Sequence, residues 1–166
     1  MSKKSMPRRH ALSNARPVLD FLCYALALVG FLVVVHLWIQ TQRGFDRGCF
    51  GFSQTIEAVG CEAVVTSDAG KLLGISNVIW GLLFYIAVGV LSFRVIRSTA
   101  AKLRSAKLLR TALITVGVAY SAYLVYVQSM QIGEYCKLCM ISAGIVAVMG
   151  LVTVTDAVTN PKPRNN

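Results

Sequence analysis

Apolar positions in this chain gather into four long stretches, residues 21–42, 72–93, 111–133 and 138–155, none of which contains an ionised side chain. About 20 helical residues cross a hydrocarbon core of ~30 Å, so each stretch is long enough, or nearly so, to span a bilayer. The apolar positions run continuously instead of alternating, which predicts helices and not strands. In lipid only helices and closed barrels leave no backbone group unpaired. The expected fold is therefore an all-α integral membrane protein, a bundle of four transmembrane helices. Residues 43–71 form the one sizeable polar segment between spans. Within it Ile56, Val59, Ala63 and Val64 recur at helical spacing, predicting a short amphipathic helix that caps the bundle.

Composition supports this pattern. The chain of 166 residues is 55% hydrophobic and only 14% charged, and it has room for one domain, residues 1–166. Its net charge of +10 is unevenly spread. Thirteen of the 17 basic residues lie in 1–17, 94–110 and 156–166. The remaining four, Arg43, Arg47, Lys71 and Lys137, share their segments with five acidic residues. Basic residues accumulate on cytoplasmic segments, so both termini are expected in the cytoplasm of a multi-pass inner (plasma) membrane protein. Segments 43–71 and 134–137 are then expected on the periplasmic or extracellular side. No basic stretch is interleaved with base-stacking aromatics, so the charge gives no reason to expect nucleic-acid binding. The first stretch is too long, and followed by no small-residue cleavage site, to be a signal peptide.

This topology sorts the cysteines. Cys49 and Cys61 fall in the long outer segment, and Cys136 and Cys139 fall in "GEYCKLCM" (residues 133–140), where the fourth span begins. All four are expected to face an oxidising compartment. Cys23 lies near the opposite end of the first span, on the order of 24 Å away, and reads as a small buried hydrophobe. Three uses of the four outer thiols are open. A soft-metal or zinc site would need four converging thiolates, and the eleven residues between Cys49 and Cys61 suit it poorly. Two inert disulfides would include one closing a very small ring, which is easily reduced. A thiol–disulfide relay suits the pattern best, because a loop pair beside the Cys136/Cys139 pair can exchange with it. A helix N-terminus and Lys137 favour thiolate character at that second pair. Electrons delivered there need a lipid-soluble acceptor, such as a quinone.

In order along the chain, Cys49, "CEAVVTS" (61–67), "LLGISNVIWGLLFY" (72–85), "AYLVY" (122–126) and "CKLC" (136–139) resemble the vitamin K epoxide reductase family, in particular its bacterial disulfide-forming members. The resemblance runs from the first span to Thr155. It implies a four-helix bundle around a quinone (ubiquinone or menaquinone), lidded by the first outer loop. It also implies roles: Cys139 reacts with the quinone, Cys136 exchanges with Cys61, and Cys49 meets a thioredoxin-like periplasmic partner. Ser67 and Asn77 match family positions near the relay and quinone, and Asn77 is expected to hydrogen-bond a quinone carbonyl. Trp80 and Tyr123 are the aromatics expected to line the ring pocket, ahead of Phe84, Tyr120 and Tyr126. Ala143 stands where animal relatives carry a tyrosine, which favours plain quinone reduction over epoxide reduction. Residues 156–166 hold no fused thioredoxin-like domain, so the partner is expected either as a separate protein or as a domain outside the given sequence. An unrelated quinone-linked disulfide oxidase carries its Cys-x-x-Cys in the first outer loop, whereas here it lies in the second.

His36 lies one turn from the end of the first span, where an interfacial residue is the ordinary reading. Asp20 and Asp156 read as helix-end residues.

Overall fold

The computed structural model describes residues 8–46, 48–50, 56–97 and 100–159. Helix α1 (Arg8–Gln42) is followed by a short helix α2 (Ile56–Thr66), a 3₁₀ turn (Asp68–Gly70) and a small hairpin of β1 (Lys71–Leu72) and β2 (Ile75–Ser76). Then come α3 (Asn77–Arg97), α4 (Ala100–Val127) with a π-helical turn at Gln128–Ile132, and α5 (Lys137–Thr159). Four helical stretches are long and apolar enough to cross a membrane: Pro17–Gln42, Asn77–Arg97, Ser105–Ile132 and Lys137–Val158. They form a ring in which α1 and α4 each pack against α3 and α5. Large apolar side chains such as Leu32, Leu108, Val116 and Leu151 point outward, as expected for a surface solvated by lipid.

The second span starts later than its hydropathy suggests. Residues 72–76 are apolar enough to join it, yet they pair antiparallel, Lys71 with Ser76 and Leu72 with Ile75. Leu73 (φ 56°) and Gly74 (φ 79°) are both left-handed, the backbone a tight two-residue hairpin turn demands. Ser76 then caps α3, its Oγ accepting from Val78 N at 3.3 Å. The expected capping helix is present as α2. Gly60, Cys61, Val64 and Val65 are buried while Glu62 and Thr66 are exposed, an amphipathic pattern. The side chains of Ile56 and Val59 lie outside the described residues.

Glycine lets the helices approach closely where lipid offers no hydrophobic drive for association. The ring of Tyr85 on α3 fills the space where a side chain on Gly30 of α1 would stand. Its hydroxyl reaches Ser142 on α5, at 3.1 Å to the carbonyl oxygen and 2.9 Å to Oγ. One buried tyrosine thus joins three helices.

The end of the bundle opposite Cys49, Cys61, Cys136 and Cys139 is held by charge. Arg110 Nη2 donates to Asp20 Oδ1 at 2.7 Å, and Lys107 bridges Asp20 (3.2 Å) and Asp156 (3.3 Å). Asp20 and Asp156 are therefore more than helix-end residues: with Lys107 and Arg110 they tie α1, α4 and α5 together. Hydropathy could not show this, since Asp20 and Arg110 lie ninety positions apart in the chain. Cys23 is buried, one turn above Asp20 in α1. One turn nearer the cysteine end, Ala27, Val88, Ile114 and Met149 form a layer at most 1% exposed. They follow Cys23, Ser92, Arg110 and Thr153 in register, four residues away on each helix.

Arg110 is 2% exposed, so removing its partner leaves a buried charge uncompensated. Asp20→Ala is expected to destabilise the bundle by about 3–5 kcal/mol. Replacing Arg110 with Met in the same chain should recover much of the loss. Unfolding in detergent with added denaturant, followed by circular dichroism, checks both.

Candidate functional site

At the cysteine end the chain brings four sulfurs into one region. Cys49 and Cys61 are joined by a disulfide and buried, at 1% and 0% exposed. Bonded to each other, they do not at the same time serve as thiolate ligands, as the metal alternative requires. Cys136 and Cys139 are free, Cys136 fully buried and Cys139 half-buried.

Local sequence explains how the second pair is presented. The π-turn ends on Gly133, left-handed at φ 72°, whose N–H donates to Gln128 O at 3.0 Å. The chain then runs free of helix through residues 133–136 before α5 begins. Cys136 caps that helix with its own sulfur. Its carbonyl accepts from Met140 N at 2.9 Å and its Sγ accepts from Cys139 N at 3.3 Å. Its amide N–H donates to Gln128 Oε1 at 3.2 Å.

These contacts hold the Cys136 thiol below the usual thiol range. A hydrogen bond from the Cys139 side chain is the main cause, and burial opposes it. The Cys139 and Leu138 N–H groups assist, which is how the helix N-terminus acts here. Lys137, between the two cysteines, is exposed.

The two pairs meet through α2, which packs against α5 and the π-turn. A Cβ on Gly60 would stand 2.7 Å from Tyr135 O and 3.4 Å from Glu134 Oε2. Gly60 precedes Cys61 and Tyr135 precedes Cys136, so this bare glycine lets the two segments close on each other.

Beneath the pair lies a cavity of about 510 Å³, lined by residues of the four long helices and α2. Its wall is mostly apolar, with a few polar groups, the character of a small-molecule site. Cys139 lines it and Cys136 does not. Of the residues predicted to hold the ring, Asn77 and Trp80 line the cavity. Trp80 Nε1 also donates to Leu72 O at 3.2 Å, fastening α3 to the hairpin. Ser67 and Tyr123 are not on the wall. Ser67 instead folds the 3₁₀ turn: its Oγ accepts from Gly70 N at 3.0 Å and donates to Val64 O at 2.8 Å. Tyr123 is exposed, its ring 6.2 Å from that of Tyr120. Tyr120 occupies the wall and donates to Asn77 Oδ1 at 2.7 Å. Gln128, Ser142 and Ala143 also line it, and the signal for Gln128 was a carboxamide at the end of an apolar span. His36 is off the wall, with Nε2 3.5 Å from Gln40 Nε2.

Two outcomes follow from this geometry. Gly60→Ala is expected to push α2 off residues 134–135 and slow sulfur exchange about tenfold or more, in a stopped-flow assay of electron transfer from the loop pair. Cys139→Ala removes the hydrogen bond that lowers the Cys136 thiol. The Cys136 alkylation profile should therefore move to higher pH than in the unmodified chain, read by mass spectrometry of labelled peptides.

Residues 21–154 match the family model described as the vitamin K epoxide reductase family. No curated protein matches the chain.

Proposed function

The chain belongs to the vitamin K epoxide reductase family, a family of membrane thiol–disulfide oxidoreductases, and we propose that it oxidises a thioredoxin-like partner and passes the electrons to a membrane quinone. The observation that carries this reading is the separation of roles at the second pair: Cys139 lines the apolar cavity, while Cys136 is buried beside the segment that bears Cys61.

The steps balance as follows. A partner thiolate attacks the Cys49–Cys61 disulfide at Cys49, forming a mixed disulfide and releasing Cys61 as a thiolate. The second partner thiol displaces Cys49, and the partner leaves with its own disulfide. Cys61 next attacks the Cys136–Cys139 disulfide at Cys136, freeing Cys139. Cys49 then attacks Cys61, which restores the loop disulfide and leaves Cys136 and Cys139 as thiols. Two electrons and two protons finally pass to the quinone, which is reduced to its quinol while the Cys136–Cys139 disulfide forms again. The arrangement described above, with the loop pair bonded and the second pair as thiols, corresponds to the stage just before that last transfer.

The wall of the cavity suits a quinone head group. Asn77 and Tyr120 form one hydrogen-bonded polar pair in it, and Trp80 offers a flat indole face. Cys49 is buried, so a partner reaches it when the loop opens. On this reading the cysteine end faces the periplasm or exterior, and both termini are cytoplasmic. Ala143 lines the wall, and an alanine at the position where animal relatives carry a tyrosine favours a quinone over an epoxide as acceptor.

The test adds purified protein to a reduced thioredoxin-like substrate with ubiquinone or menaquinone and follows the quinone spectrum. Thiol-dependent bleaching is expected, and its absence with both quinones would sink the proposal. Cys139→Ser should abolish bleaching; the Cys136 thiolate then attacks the loop disulfide at Cys61 and releases Cys49, trapping a Cys61–Cys136 disulfide visible on non-reducing gels.

A further inference from the structure

Gln128 both bonds the thiol motif and lines the cavity. It is 4% exposed and opens the π-turn, where its carbonyl oxygen is held by Gly133 N. Its Oε1 accepts from Cys136 N at 3.2 Å. An N–H can donate only to the oxygen of a carboxamide, so this contact settles which end of Gln128 is which. Nε2 therefore faces away from Cys136, and the residue lines the cavity together with Cys139.

Most of the other polar side chains on that wall have partners. Tyr120 donates to Asn77, Tyr85 and Ser142 hydrogen-bond each other, and the Trp80 indole donates to Leu72 O. Ala143, one turn past Cys139, contributes only a methyl group. Ser121 lies seven residues before Gln128 on α4, about two turns deeper. Among the described residues none accepts from Gln128 Nε2, and that atom is not among the fully buried unpartnered ones. It thus meets open space, and the space beside it is the cavity.

Resting on the quinone reading given above, we infer that Gln128 is a quinone-binding and positioning residue: Nε2 donates a hydrogen bond to a quinone oxygen on the Cys139 side, while Oε1 fixes the Cys136 amide at the start of α5. A donor there also favours reduction, since it stabilises an oxygen that gains negative charge as electrons arrive. Because one carboxamide performs both tasks, the ring and the thiol turn are held in a common register.

The two ends are separable by substitution. Gln128→Met removes both, and Gln128→Glu keeps the acceptor for Cys136 N while losing the NH₂ donor. Quinone affinity is measured as quenching of tryptophan fluorescence by menadione and by ubiquinone-1 at pH 8, in the Cys139→Ser background, which holds quinone without reducing it. Both substitutions should raise Kd about tenfold, the loss expected of one hydrogen bond in a dry site. Amide hydrogen exchange at Cys136 is the second readout. Protection should fall in Gln128→Met and persist in Gln128→Glu, a split that a general loosening of the fold would not produce. A Kd within about twofold of the parent in either variant, or unchanged Cys136 exchange in Gln128→Met, would overturn the inference. If Gln128→Met does not fold, the isosteric Glu variant still decides the donor role. A parent that binds neither probe overturns the quinone reading itself, and the role of Gln128 with it.

Discussion

Sulfur exchange needs contact between sulfur atoms, and the cysteine end of this bundle is organised around that requirement. α2 is tied to the segment after α1 through Cys49–Cys61, and it leans on residues 134–135 where Gly60 offers no side chain. The partner segment is equally constrained. Gly133 turns the chain out of the π-turn, Gln128 holds the Cys136 amide, and the Cys136 sulfur caps α5. Every backbone group bound in this way is one that a membrane protein could not leave unpaired at low cost. The redox motif and the architecture are therefore the same set of hydrogen bonds.

Rigidity is distributed unevenly along the bundle. At the far end three helices are locked by Asp20, Lys107, Arg110 and Asp156, and Tyr85 ties three helices at mid-depth. At the cysteine end the connections are a short helix, a two-residue-strand hairpin and a turn, with the cavity between them. Short elements of that kind are where local opening occurs most readily. Access of a partner to the buried Cys49 requires such opening, and the fold places it away from the locked end.

Much of this was legible in the chain. Four uninterrupted apolar stretches state the spans outright, and the position of four cysteines near one end points to thiol–disulfide chemistry. The hairpin was not legible, because Leu72, Leu73 and Ile75 carry the same hydropathy as the helix that follows. Only the left-handed pair Leu73–Gly74 separates them, and a leucine gives no warning of that conformation. Tyr120 and Tyr123 illustrate a second limit. Three residues apart on one helix, they share a side, and it is Asn77 on another helix that selects Tyr120 for the wall. Ser67 shows a third: a hydroxyl near a thiol motif suggests chemistry, whereas its two bonds, to Val64 and Gly70, make it a turn former. Contacts between distant helices, such as Asp20 with Arg110, leave no local trace.

The apolar layer of Ala27, Val88, Ile114 and Met149 separates the cavity from the charged far end. It offers no polar atom along which a proton could step. In the proposed cycle, protons given up by the thiols and protons taken up with the electrons would then exchange with one and the same aqueous phase. Turnover would move no net charge through the bilayer, and the membrane voltage would neither drive the reaction nor resist it.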